Sequence, residues 1–413
     1  MGPITLFDKS FLQSLSLDES VWFDNFYSAN IVPLFYVETL ADLEKAIKKG
    51  RTPEQEVGII ADKTPEKSSA SNVFHRDLII GDLLGNKIPM DGRPILGGGR
   101  AIKTGDKKAV MFEYPPEQEA FSRWQKGEFL DIERQFAKAW RKFLGPLNFQ
   151  AILFVFNSIG IQPKSPSLDE AKIVTQAIID HAKNQETLLV TGLKIFGVPE
   201  HLSVEIYKQW YAESKPMLKK FAPYFTYVLT IEIFFHISIT SNLIPQEINS
   251  RHDFAYLYYL PFCMVFVSTD KLHKRCAPFF LREDQEFIWG PDLKEDLKKI
   301  DATFDALPVA EKEKGLFAIA SYPPADQDLI TARLWDKHLT SWRGHKDEPK
   351  IIKTPEEEKR LVDHIMNSTK GETIHPSQVD FDSDSADSVT LKRSIRKRKG
   401  KWWQLPKNLG EEL

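Results

Sequence analysis

The sequence predicts an α/β fold built on a parallel sheet, and three observations carry that expectation. Residues 3–7 (PITLF) form a short apolar run that stops at Asp8, as a buried parallel strand does at its carboxyl end. Residues 264–267 (MVFV) repeat the layout and end in Ser268-Thr269-Asp270. Between these two runs most of the chain shows helical rather than alternating periodicity. With 413 residues, 42% of them hydrophobic and 27% charged, the chain can bury a large core and does not read as disordered.

Each element then follows in order. From Ser10 the spacing of Phe11, Leu12, Leu15 and Leu17 predicts a short helix. A third apolar run, residues 31–37 (IVPLFYV), leads to Glu38 at the start of a helix through Leu40, Leu43, Ala46 and Ile47, which stops in the breaker stretch KKGRTPEQ. Residues 62–117 are rich in Pro, Gly, Lys and Asp and read as irregular, with one strand at 109–114; the GGGR at 97–100 reads as a turn, since it lacks the Gly-Lys-Ser/Thr ending of a phosphate loop. Helical patterning runs from 116 to about 227, with Ser167 as an N-cap. It continues through 226–238, where Glu232 and His236 mark a buried helix rather than a membrane span. An aromatic-rich helix at 253–260 precedes the second acid-terminated strand, and further helices are expected over 292–343. The organisation read from this is a discontinuous core, 1–50 and 225–290; an inserted region, 51–224, irregular and then mostly helical; a helical extension, 291–350; and a flexible tail, 355–413, acidic and then basic.

Fifty-five basic against 58 acidic residues leave a net charge of −3, so no whole-molecule basic field announces a nucleic-acid partner. The net value hides a +6 segment at 391–413 on a −9 body. Lys392, Arg393, Arg396, Lys397, Arg398, Lys399 and Lys401 stand beside Trp402 and Trp403, a composition able to neutralise RNA phosphates and stack bases. The simpler expectation is a charged tail folding back on an acidic body. Two cysteines, Cys263 and Cys276, are too few for a disulfide framework or a cysteine zinc site and are expected in the core. No apolar run spans a membrane and the first residues lack a signal-peptide pattern, which together predict a cytoplasmic protein.

Ligands of open α/β sheets bind at the carboxyl ends of the strands. Asp8 and Asp270 follow two such ends, Glu38 follows the third apolar run, and Asp253 opens the helix leading to the last strand. Carboxylates gathered in one crevice repel unless a cation neutralises them, and oxygen donors suit Mg²⁺ or Mn²⁺. Taken singly, Asp8, Asp253 and Asp270 are equally well placed to be helix caps. His252 and His273 read as ordinary helix-end or surface residues.

These motifs resemble the PIN-domain nuclease family. Its pattern of a first strand ending in Asp-x-Ser/Asn, a helical Glu after the second strand, a later helical Asp and a strand ending in Thr/Ser-x-Asp is matched by Asp8-Lys9-Ser10, Glu38, Asp253 and Ser268-Thr269-Asp270, with 17 positions between the last two acids. The resemblance implies a three-layer α/β/α core around a parallel sheet, and a metal-dependent nuclease whose four acids hold one or two ions. Ser10 and Ser268 then support the carboxylates, RNA is the usual substrate, and single-stranded DNA or a regulatory protein are further partners. The 215 positions between Glu38 and Asp253 depart from a compact member and require the insertion. Lys9, unusual at its place, is expected to point away from Asp8. A phosphotransferase of the haloacid dehalogenase type is disfavoured because Ser10 stands where its second Asp belongs. A catalytically inactive PIN-like scaffold that binds RNA or protein is the alternative.

Overall fold

A computed structural model of the chain describes residues 2–44, 50–113, 116–143, 164–245, 250–339, 341–344, 356, 371–375, 378–381, 385–391 and 393–409. The first apolar run is β1 (Ile4–Phe7). Asp8 then turns the chain by accepting the Phe11 N–H, which opens α1 (Lys9–Ser14). A capping box, in which Ser16 and Glu19 bond each other's backbone, starts α2 (Leu17–Phe26). Next come β2 (Ser28–Ile31) and, after one residue, α3 (Pro33–Ala41). Here the structure differs from the sequence expectation: the run 31–37 is mostly helix, because Pro33 occupies the first turn, where a missing N–H is no loss. Glu38 is therefore in the second turn. The end of the helix expected through Ala46 and Ile47 lies outside the described residues.

After α4 (Pro53–Lys63) comes β3 (Ser69–Ser71), inside the region read as inserted. So small and polar a strand carries no apolar signal. Instead the buried carboxylate of Asp24 in α2 accepts three successive backbone N–H groups, from Glu66, Lys67 and Ser68, and thereby aims the chain along β2. The chain continues through α5 (His75–Leu83), the hairpin of β4 (Arg100–Thr104) and β5 (Lys107–Phe112), and α6 (Pro116–Trp124) and α7 (Asp131–Phe143). A helical layer follows: α8 (Leu168–Asp180), capped by Ser167 as expected, α9 (Gln185–Ile195), α10 (Glu200–Ala212) and α11 (Pro223–Thr240). Fifteen residues of α11 are buried, Glu232 and His236 among them, so this helix is surrounded by protein on all sides. No described helix is long and apolar enough to cross a membrane.

The sheet is completed by α12 (Ser250–Ala255), a 3₁₀ segment Tyr256–Phe262, β6 (Val265–Ser268), α13 (Lys271–Cys276), β7 (Glu286–Trp289) and α14 (Gly290–Asp305), with α15 (Ile330–His338) beyond. Five parallel strands lie in the order β3-β2-β1-β6-β7, with Thr5 opposite Ala29 on one side and Val265 on the other. The fold is α/β with a central parallel sheet. Both cysteines are buried in it, and burial pushes each thiol up to about 12.

Residues 388–391 and 393–409 lie in strands and on the body, in the span where a flexible tail was expected. β9 (Ser388–Leu391) pairs with β5 in a second sheet, which also contains β8 (Glu372–Thr373). The basic stretch docks on the body: Arg396 bonds Asp62 and Glu66, the buried Lys399 ammonium donates to the carbonyls of Lys63 and Thr64, and Lys401 pairs with Asp301. Trp402 is 1% exposed and packs edge-on against Trp22, its indole N–H on Asp301. A −9 body beside a +6 segment supplies the attraction, and the indole supplies apolar burial. Lys392 lies outside the described residues.

Candidate active site

Strand order reverses between β1 and β6, so the crevice at their carboxyl ends is the switch point where open α/β sheets bind ligands. Asp8 leaves β1 and Ser268 ends β6 at this crevice. The Asp8 carboxylate is 4% exposed and fully engaged: Oδ1 accepts from Phe11 N–H at 2.9 Å, and Oδ2 accepts from the hydroxyls of Ser10 at 2.5 Å and Ser268 at 2.8 Å. Both serines thus stand where the sequence places them, as supports of the first acid. Ser10 also meets Thr269 Oγ1 at 2.5 Å, closing β1 to β6 across the crevice.

Ser268 joins the fourth acid to the first. Its hydroxyl accepts the Asp270 N–H at 2.9 Å, while the Asp270 carboxylate accepts Leu272 N–H at 2.5 Å and caps α13. Asp8 and Asp270 are therefore caps as well as crevice acids. Asp270→Asn should lower the melting stability of the metal-free protein, by up to about 1 kcal/mol, since an amide oxygen caps less well beside a helix N-terminus. Chemical denaturation in chelator measures it.

Glu38 differs, because it caps nothing. Its Oε2 accepts the Tyr256 hydroxyl at 2.9 Å. Burial pushes the carboxyl up to about 7; Lys9 and the Tyr256 hydrogen bond oppose the rise, while Asp8 and Asp42 add to it. Asp253, in the first turn of α12, completes the group: Tyr256 is held well above the ordinary phenol range by burial, then by Glu38, Asp8 and Asp253. Tyr256 thus bonds one of the four acids, Glu38, and feels the charge of Asp8 and Asp253. The carboxylates are gathered electrostatically rather than as a finished cage, since no three His, Cys, Asp or Glu side chains among the described residues stand at metal-holding spacing.

Lys9 reaches over to α3. Because Asp8 ends the strand and starts a helix, the alternation of a strand does not reach position 9. Its ammonium instead donates to the Glu38 carbonyl at 2.9 Å and to Asp42 Oδ1 at 2.8 Å. Two residues that sequence reasoning passed over belong to the site. Tyr256 is three positions after Asp253, one helical turn on, but it sits among aromatics that read as core. His273, three after Asp270, is 1% exposed rather than at the surface; its Nδ1 lies 2.7 Å from the Ser268 hydroxyl and its Nε2 donates to the Asp253 carbonyl at 2.6 Å. It ties the strand end to the segment carrying the third acid. No family model, curated protein or solved structure matches the chain, so the reading of this crevice rests on its own geometry.

Proposed function

We propose that the protein is a metal-dependent nuclease of PIN-like architecture acting on RNA or single-stranded DNA. The observation that carries the reading is the partly buried Glu38 carboxyl, raised to about 7, bonded to the Tyr256 hydroxyl and within the electrostatic reach of Asp8. Charge crowding of this kind marks functional sites more often than structural ones. The strand order β3-β2-β1-β6-β7 and the acids at its switch point support it.

The donor chemistry suits a hard divalent ion: Asp8, Glu38, Asp253 and Asp270 offer carboxylate oxygens and no thiol. Mg²⁺ or Mn²⁺, when bound, would lower the pKa of a water and offset the charge that builds on a phosphodiester. The chain's own contribution is orientation. Ser10 and Ser268 fix the rotation of the Asp8 carboxylate, and His273 fixes Ser268. Tyr256 holds Glu38 Oε2 and so fixes the rotation of that carboxylate. The Lys9 ammonium places positive charge beside the crevice without entering a hydrogen bond to Asp8.

The inactive scaffold is favoured by one specific observation: Lys9 already places a cation beside the site, on the Glu38 backbone carbonyl and the Asp42 carboxylate. Incubation of a mixed RNA and single-stranded DNA pool with Mn²⁺ or chelator separates the readings. Cleavage is expected only with metal, and Asp8→Asn should lower it by about a hundredfold or more, the scale of losing one preorganised electrostatic group. Absence of metal-dependent cleavage, or equal cleavage by Asp8→Asn, overturns the nuclease.

A further inference from the structure

β3 is an edge of the five-stranded sheet, and no described strand pairs with it on the side away from β2. Which of its main-chain groups face that side follows from the ladder. Ser68 accepts the Ala29 N–H and Asn72 donates to the Ile31 carbonyl, so the even-numbered residues turn toward β2. Peptide groups alternate in direction along an extended chain, and those of Ser69 and Ser71 therefore turn outward. Just beyond, the outer edge is taken: Val73 N–H donates to the Ile95 carbonyl, and Leu96 bridges Asn72. The N–H and C=O of Ser69 and the N–H of Ser71 have no hydrogen-bond partner among the described residues. Main-chain groups left so on a sheet edge are a template for another chain.

This edge meets a cavity of about 680 Å³. Every residue from Ser69 to Val73 lines it, whereas a cavity on one face of the strand would be lined by alternate residues. Parity identifies the wall above it. Ser69 pairs with Ala29 and Ala29 with Thr5, which puts the Ser69 and Ser71 side chains on the face of Phe7, and Phe7 packs against Phe35 of α3. The Ser69 hydroxyl, buried and unpartnered, lies on this face, while the Asn72 side chain leaves by the other to reach Asn30. From α3 come Tyr36, stacked on Trp124 at 15°, and Leu40; Phe136 adds a ring that is 52% exposed. Asp77, Glu113 and Glu117 line the cavity against the single guanidinium of Arg393, which donates to the Lys67 carbonyl. Apolar side chains with basic neighbours suit such a lining, and nucleic-acid phosphates do not.

We propose that the open edge of β3 receives an extended basic peptide of a partner protein, added to the sheet as a further strand. Its backbone pairs with the outward groups of Ser69 and Ser71, alternate apolar side chains pack on Tyr36, Leu40 and Phe136, and Lys or Arg residues meet Asp77 and Glu117. Ser69, Ala70 and Ser71 have short side chains, which lets a second backbone approach to strand spacing. The main chain supplies attraction and the cavity supplies selection. Nothing in the proposal requires metal or cleavage, so it stands apart from the nuclease.

The test is selection of random short peptides, displayed on phage, against the full chain in chelator, followed by calorimetric titration of the enriched sequence as a synthetic peptide. Alternating apolar residues with Lys or Arg between them are expected, binding saturably. Two versions N-methylated on the two alternating sets of amides are then compared; one of them should bind about tenfold more weakly or worse, the scale of a main-chain hydrogen bond left unmade. Ser71→Pro should weaken the unmodified peptide likewise. It removes an N–H that points away from β2 and spares the ladder, a place where edge strands tolerate proline. Ser71→Ala keeps that N–H and should bind as wild type. No enriched peptide that binds saturably, enrichment of acidic sequences, full affinity of both methylated versions, or undiminished binding by a folded Ser71→Pro overturns the proposal. Sedimentation of the chain alone adds one further outcome: a dimer that Ser71→Pro disperses would give this edge to a second copy and overturn the peptide.

Discussion

Glu38→Gln should be more stable than wild type at pH 8 and nearly equal to it at pH 4. The Glu38 carboxyl is raised to about 7 by burial and by its acidic neighbours, so the folded state holds this proton more tightly than the unfolded chain does. Stability from this group is thus greatest below the ordinary glutamate range, falls as pH rises toward 7, and is flat above it. The amide carries no charge and shows no such fall. A rise of this size corresponds to roughly 3 kcal/mol at pH 8, measurable by urea melts of both proteins in chelator at pH 4, 6 and 8. A constant difference across the three pH values would mean that Glu38 carries no such strain. Mn²⁺ should then stabilise wild type by mass action, by about 2.7 kcal/mol at a hundred times its dissociation constant, and the variant far less. The variant should also lose cleavage. More stability with less activity is the signature of a group kept in an unfavourable state for its chemistry.

Trp402→Ala should cost the fold about 3–5 kcal/mol, the usual range for deleting a buried indole. The indole is buried against Trp22, itself stacked on Phe304 at 4.5 Å, and both indole N–H groups donate to Asp301. Its removal therefore empties a space between α2 and α14 and frees one side of a shared carboxylate. If the basic stretch bound nucleic acid instead, the same change would act on affinity and on its salt dependence. Because Arg396, Lys399 and Lys401 are engaged with the body, the salt slope of binding to single-stranded RNA is expected to stay unchanged at a temperature where the variant is folded. A folded variant of wild-type stability with a flattened slope would return this segment to the nucleic acid.

What the sequence showed of the fold and the site depended on whether the cause was local. β1 and β6 were legible because each is an apolar run cut off by an acid, and Asp8 and Asp270 were legible with them. Ser10 and Ser268 were expected through the family resemblance; Ser10 reaches the acid two positions before it, whereas Ser268 reaches Asp8 on the neighbouring strand, a contact across the sheet that no spacing shows. β3 was not legible. Its residues, Ser69, Ala70 and Ser71, have no pattern of their own, and their course is set by Asp24 from 42 or more positions away. β7 (EFIW) is too short and too polar at its start to stand out from its surroundings. Tyr256 was hidden by its neighbours: among Tyr256, Tyr258 and Tyr259, nothing in the sequence separates the one that meets Glu38 from the one that meets Glu232. The docking of 393–409 was present in the charge arithmetic but not in any periodicity, because ion pairs across the fold leave no repeat.

The strand order also sets a clock. β1 ends at Phe7, yet one of its two neighbours, β6, begins only at Val265. At about 5–20 residues per second, roughly ten seconds to a minute of translation separates them. During that interval a hydrophobic strand stands with one edge open, which is a recognised hazard for wrong pairing. β2 and the amphipathic elements after it can shelter the other edge early, so the exposed side is the very one that will carry Ser268. The nascent chain therefore cannot bring Asp8 and Asp270 together until the whole stretch between them has been made.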